Sequence, residues 1–256
     1  MIKIISLSFQ KITLKSIRKF LTFISIFLPK SSKLRIHYYI SYFIENTNNK
    51  ENELYNLKYI ITKKTDAIDV GCNNGLYTYA LSKNKNVNRI LAFEPNKKIT
   101  KKIIDYKNSK IKLYHIALSD KNTKKILKIP VVKNYELDGW ASIEKNIYDK
   151  CKFKKFNQIK VKTRKLDYYK FKNIGFIKID VEGHELSLLR GAINFFKKNK
   201  PDCLIEVKTE NLIKIKKFFK GLKLNYKYVN KNKFNFLFSK QNFFFSTKIF
   251  KNKILK

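Results

Sequence analysis

From about residue 50 the apolar positions alternate between two patterns. Short runs rich in β-branched and aromatic residues are followed by longer segments in which apolar positions return every three or four residues. The first pattern predicts strands at 67–70, 90–93, 112–116, 176–179, 203–207, 226–229 and 234–238. The second predicts helices at 51–61, 76–82, 97–107, 186–196 and 211–220. Alternation of this kind builds a parallel sheet wrapped by helices. The last two strands are separated only by residues 230–233, too few for a parallel crossover, so they are expected to close the sheet as an antiparallel hairpin. Between Asp120 and Asp167 the alternation fades into a long excursion containing DGWAS, of a length that often builds a substrate site or lid.

Ahead of this pattern, residues 1–49 read as a basic helical extension, and residues 241–256 as a basic tail behind a domain spanning 50–240. The longest apolar run of the extension, Phe20 to Leu28, is interrupted by Thr22 and Ser25 and is too short to span a bilayer. LPKSSK offers no signal-peptidase site. Two readings of the extension stand: a helix peripheral to the inner face of a membrane, or a helix packed on the domain through Ile12, Ile17, Leu21 and Ile24. All proposed chemistry lies beyond Asp66, so the first 45 residues are expected to be dispensable for ligand binding.

The formal net charge of +38 suggests a nucleic-acid or anionic partner. Its make-up points elsewhere. Only five of the 57 bases are arginine, and lysine is spread along the chain together with Asn, Ile, Phe and Tyr, a mixture that a genome rich in adenine and thymine produces by itself. Three widely spaced cysteines, Cys72, Cys151 and Cys203, form neither a disulfide framework nor a zinc motif and fit a cytoplasmic setting.

Candidate chemistry gathers at predicted strand ends. DAIDVGCNNG (66–75) joins strand to helix through a turn in which Gly71 and Gly75 let the backbone approach a ligand, with Asp69 and Asn73 beside it. It lacks the middle glycine of a dinucleotide fingerprint, which disfavours NAD and FAD. Glu94 in ILAFEP ends the next strand, where a carboxylate can accept hydrogen bonds from both ribose hydroxyls. Ser119 and Asp120 in HIALSD are expected to end the third strand and meet a purine edge. A nucleoside without pyrophosphate fits, which means S-adenosylmethionine before NAD.

The ordered set DVGCNNG, FEP, ALSD, GWASI, KLD, FIKIDVEGHELSLLRGA and PDCLIEV resembles the FkbM family of S-adenosylmethionine-dependent methyltransferases over residues 66–207. The resemblance implies an α/β Rossmann-like methyltransferase fold, a mainly parallel seven-stranded sheet with a C-terminal antiparallel hairpin, and O-methylation of a sugar, glycan or secondary metabolite. Cys72 stands where alanine is common, and GWASI replaces a more serine-rich stretch.

Within FIKIDVEGHE (176–185), Asp180 is expected to orient cofactor or substrate, Glu182 to bind a substrate hydroxyl, and His184 to serve as general base. Glu185 suits the start of a helix. Alternatively the two carboxylates and the histidine, joined by Glu206, could hold a divalent metal that lowers the hydroxyl pKa. The competing functional class is an RNA-binding protein or RNA methyltransferase; it lacks a recognisable RNA-binding module and the NPPY-like motif of many base methyltransferases.

Overall fold

The computed structural model describes residues 29, 32–36, 38–40, 52–144, 153–229 and 241–248. Two short helices, α1 (Asn52–Tyr55) and α2 (Leu57–Ile60), precede an alternating series: β1 (Thr65–Val70), α3 (Leu76–Lys83), β2 (Val87–Phe93), α4 (Lys101–Tyr106) and β3 (Ile111–Tyr114). After the excursion the series resumes with β8 (Ile174–Ile179), α5 (Glu185–Arg190), α6 (Ile193–Asn199), β9 (Asp202–Glu206), α7 (Thr209–Gly221), β10 (Lys227–Tyr228) and β11 (Asn242–Ser246). These strands form one seven-stranded sheet in the order β10-β11-β9-β8-β1-β2-β3. β3, β2, β1, β8 and β9 run parallel, while β11 is antiparallel to both its neighbours. Both faces are covered, as a parallel sheet requires. Ile68, Val70, Phe93, Ile177 and Ile179 enter one apolar cluster; Ala67, Ile90, Phe176 and Leu204 enter another.

The expected hairpin partner at 234–238 lies outside the described residues, as do Cys151 and the apolar run 20–28. The strand that pairs with β10 is β11, and it lies beyond the domain boundary expected at residue 240. Phe243, Phe244 and Phe245 are buried in it, so part of the expected tail belongs to the core of the sheet. The amino-terminal extension needs a similar correction. Leu34 and Ile40 are buried, and the Tyr38 ring packs 5.4 Å from Tyr55 and 4.9 Å from Tyr79 of α3. Apolar burial of this kind makes residues 34–36 and 38–40 part of the domain rather than a separable addition. Among the described residues no helix is long and apolar enough to cross a membrane.

The excursion is ordered into a second sheet, β4-β7-β5-β6, made of β4 (Ala117–Leu118), β5 (Thr123–Val132), β6 (Tyr135–Glu136) and β7 (Lys155–Arg164). β5 and β7 pair antiparallel across nine residue pairs. Their inner side buries Leu127, Ile129 and Val161 in a small cluster of its own. A 3₁₀ turn, Asp138–Trp140, follows β6 and leads into Ser142, which bridges back to Lys128 of β5. This sheet stands beside the carboxyl ends of β1, β2 and β8, and the cleft lies between the two.

Candidate active site

Three positive-φ residues shape the turn after β1: Gly71 (75°), Asn73 (49°) and Gly75 (93°). A Cβ on Gly71 would lie 1.7 Å from the Asp180 carbonyl oxygen, so glycine is what lets the ends of β1 and β8 meet. Asp69 is buried and accepts a 2.6 Å hydrogen bond from the Thr78 hydroxyl, which pins the end of β1 to α3. Burial raises its carboxyl to about 6. It supports the turn from beneath; the cleft is lined instead by Gly71 and Asn73, and Gly75 packs against Ile103.

Glu94 is nearly buried at the end of β2 and reaches the cleft. The backbone amides of Asn73 and Asn96 donate to its two oxygens at 3.1 and 2.9 Å. These bonds aim the carboxylate, while burial, the stronger effect, raises its pKa to about 7. Beyond it Ile116, Ala117, Leu118 and Leu127 supply an apolar wall.

Ser119 and Asp120 sit elsewhere than expected. The third sheet strand ends at Tyr114, and the chain then crosses to the second sheet, where β4 pairs with β7. Ser119 is therefore fully buried behind the cleft, its hydroxyl 2.9 Å from His184 Nε2 and donating 3.0 Å to Asp120. Neither residue lines the cleft.

His184 does line it, yet both of its ring nitrogens are engaged: Nε2 with Ser119 and Nδ1 with the Glu144 carboxylate. Its environment is that of a strut joining the end of the excursion to the start of α5. Glu182 faces the cleft in a left-handed backbone conformation (φ 47°), followed by Gly183 at 93°. Strain of this sort is held in place by its surroundings. Here the Ser142 hydroxyl donates 2.7 Å to the Glu182 carbonyl, and Gly183 N–H donates 2.8 Å to Glu185. Burial first, then the nearby Glu206 and Glu185 carboxylates, raises Glu182 to about 7.

Asp180 also lines the cleft. Burial raises its pKa, and the buried Lys178 ammonium 3.8 Å away opposes that rise. Lys178 is further held by Glu206 at 3.4 Å, Asn242 at 2.9 Å and the face of Tyr77 at 4.9 Å. No group of three or more His, Cys, Asp or Glu among the described residues is arranged to hold a metal ion.

Sequence reasoning missed Glu144, Lys178 and the struts across the cleft. Asn96 donates 3.1 Å to Asp138, and Ser142 donates to Glu182, so the DGWAS segment arches over the opening with both feet anchored. Glu144 follows DGWASI directly, and an acid in so basic a chain was the available signal.

A profile of the methyltransferase FkbM domain matches residues 69–228, more than half of the chain. The chain belongs to the FkbM methyltransferase family. Comparison with curated proteins gives no match. Among solved structures, the methyltransferase FkbM of Methylobacillus flagellatus KT is similar at 16% identity and a TM-score of 0.49, over 72% of this chain and 43% of that one. A precorrin-6y C5,15-methyltransferase of Geobacter metallireducens GS-15 aligns at 9% identity and TM-score 0.42, covering 75% and 84% of the two chains. TrmK of M. capricolum, in complex with S-adenosyl-homocysteine, aligns at 12% and 0.37, covering 77% and 66%. This chain thus spans less than half the length of the first of these. The glycine turn, the aimed Glu94 carboxylate and the apolar wall are chemically suited to S-adenosylmethionine.

Proposed function

We propose that this FkbM methyltransferase methylates a hydroxyl oxygen of a sugar, glycan or other polyhydroxylated metabolite. The observation that carries this reading is Glu182, a cleft carboxylate raised to about 7 by burial and neighbouring acids. When bound, S-adenosylmethionine supplies an electrophilic methyl group on its sulfonium. Glu94 would hold the ribose hydroxyls, the apolar wall of Ile116, Leu118 and Leu127 would take the adenine, and Gly71 and Asn73 would give the backbone its close approach. Glu182 takes the proton of the acceptor hydroxyl as that oxygen becomes the nucleophile. A base works best when its pKa lies near the working pH. Asp180, beside it, orients the acceptor, and the His184 strut keeps the arch and the α5 start in register. Both feet of the arch fix its geometry over the cleft, and holding the reacting groups in place lowers the barrier.

The setting that fits is the cytoplasm, with the amino-terminal residues before 29 as a peripheral membrane contact. The acceptor is a small molecule or glycan rather than nucleic acid, because only five of the 57 bases are arginine and lysine is spread along the whole chain. Incubation with methyl-labelled S-adenosylmethionine and hydroxylated acceptors, followed by mass spectrometry of the product, tests the reading. Label on a hydroxyl oxygen is expected. Transfer only to nitrogen of RNA, or tighter calorimetric binding of NAD than of S-adenosylmethionine, would overturn it.

A further inference from the structure

Lysine is spread along the chain, but acids are not. All 19 lie at or before Glu210, and residues 211–256 hold 13 lysines without one Asp, Glu or Arg. A genome rich in adenine and thymine accounts for lysine everywhere; it gives no reason for acids to stop. Part of this charge is gathered on one side of the molecule. α7 buries Ile215 and Phe219 in the core and leaves Lys214, Lys216, Lys217 and Lys220 exposed. Lys216, Lys220, Lys223 and Lys227 line one groove, formed by α7, β10 and the turn joining them, and among the described residues no carboxylate lines it. Lys216 Nζ lies over the Tyr228 ring, 4.7 Å from its centroid. Lys216 and Lys220 stand one helical turn apart, a like-charge pair that destabilises a helix unless an anion neutralises it. Ile213, three and seven residues before them and so on the same stripe, is 64% exposed.

The lysines alone would suit any polyanion, and Ile213 narrows the choice. RNA makes no use of an exposed aliphatic side chain, and its phosphates and base edges favour the arginine fork that this stretch lacks. A lipid surface uses every part: lysines meet anionic headgroups, an aliphatic side chain enters the acyl boundary, and a tyrosine ring suits headgroup level. We infer that the lysine groove of α7 and β10, with Ile213 on the same helix stripe, seats this chain on an anionic lipid surface. The contact is separate from the amino-terminal residues and independent of the reaction proposed above.

Sedimentation of the full chain with vesicles tests it, using phosphatidylcholine alone and phosphatidylcholine containing about one-third phosphatidylglycerol. Binding is expected to the second only. Lys216→Glu, Lys220→Glu and Lys223→Glu together are expected to weaken it about tenfold or more. A matched set on β7, Lys155→Glu, Lys160→Glu and Lys162→Glu, changes net charge equally and is expected to stay within about twofold of wild type. Ile213→Ser leaves the charge alone and is expected to weaken vesicle binding about threefold or more. All of these positions are exposed, so circular dichroism and Tm are expected to match wild type. Single-stranded RNA, held through net charge, should lose affinity equally with both lysine sets and none with Ile213→Ser. Absence of binding to the anionic vesicles, or an equal loss with the two lysine sets, would overturn the inference. Vesicle binding that survives the α7 set would place the contact elsewhere, and selective loss of RNA binding in that set with vesicle binding kept would assign the groove to RNA; either result also overturns it.

Discussion

Glu182 and His184 stand two residues apart and exchange the roles that composition alone suggests for them. A free imidazole is the usual proton acceptor near neutral pH, but His184 has given both nitrogens to Ser119 and Glu144. Glu182, lifted to about 7, is left facing the cleft. Turnover is therefore expected to need the ionised Glu182: at saturating cofactor, kcat/KM for the acceptor should rise tenfold per pH unit below about 7 and level off above it. Glu182→Gln should lower single-turnover methyl transfer about a hundredfold or more and remove that limb. His184→Ala should lose activity through misplacement while keeping the limb near 7; a pH–rate profile of both variants separates the roles. Glu94 behaves differently, because its contact exists before and during transfer. Glu94→Ala should weaken cofactor binding about tenfold or more with a smaller effect on turnover at saturation. In the wild-type chain the raised carboxyl must lose a proton before it can accept from two hydroxyls. Affinity measured by calorimetry should accordingly fall as pH drops below about 7. The sequence made Glu94 legible because its place at a strand end needs no tertiary knowledge. It concealed the engagement of His184, since Ser119 and Glu144 lie 65 and 40 residues away along the chain.

At the scale of elements, the parallel strands were readable because burial on both faces leaves runs such as FIKI and CLIE nearly continuous in apolar side chains. The second sheet was not. β5 (TKKILKIPVV) and β7 (KFNQIKVKTR) are interspersed with lysines, and Pro130 interrupts a run that would otherwise read as a strand. Pro130 is tolerated because its carbonyl still accepts from Leu137 N–H, while the missing donor falls at the end of the ladder beside Phe156. The helix expected at 186–196 is likewise two helices, α5 and α6, broken at Gly191. A Cβ there would meet the Ser119 carbonyl oxygen at 1.9 Å, so the break is where α5 packs onto the end of β4. Gly191→Ala is expected to destabilise the fold by about 1–3 kcal/mol. Thermal unfolding would register this as a lowered Tm, and the displaced Ser119 would loosen the His184 strut and lower activity as well.

For the molecule as a whole, the expectation that the first 45 residues are dispensable gives way to the burial of Leu34 and Ile40 and the packing of Tyr38 against Tyr79 of α3. Removing residues 1–45 should therefore cost about 2–5 kcal/mol or more, the scale of deleting buried aliphatic side chains. Removing only residues 1–28 should leave the described core intact; urea titration of both truncations tests the difference. Position in the sheet also differs from position in the chain at the other end. β11 fits between β9 and β10, both of which precede it, and it carries Asn242 to the Lys178 ammonium. A ribosome therefore delivers β9 and β10 before the strand that joins them. Until residues 242–246 emerge, β9 presents an unpaired edge, and such edges recruit other chains. Nascent chains of this enzyme should depend on chaperones over that interval, and a stalled chain ending before residue 242 should be protease-sensitive throughout the β9–β10 half.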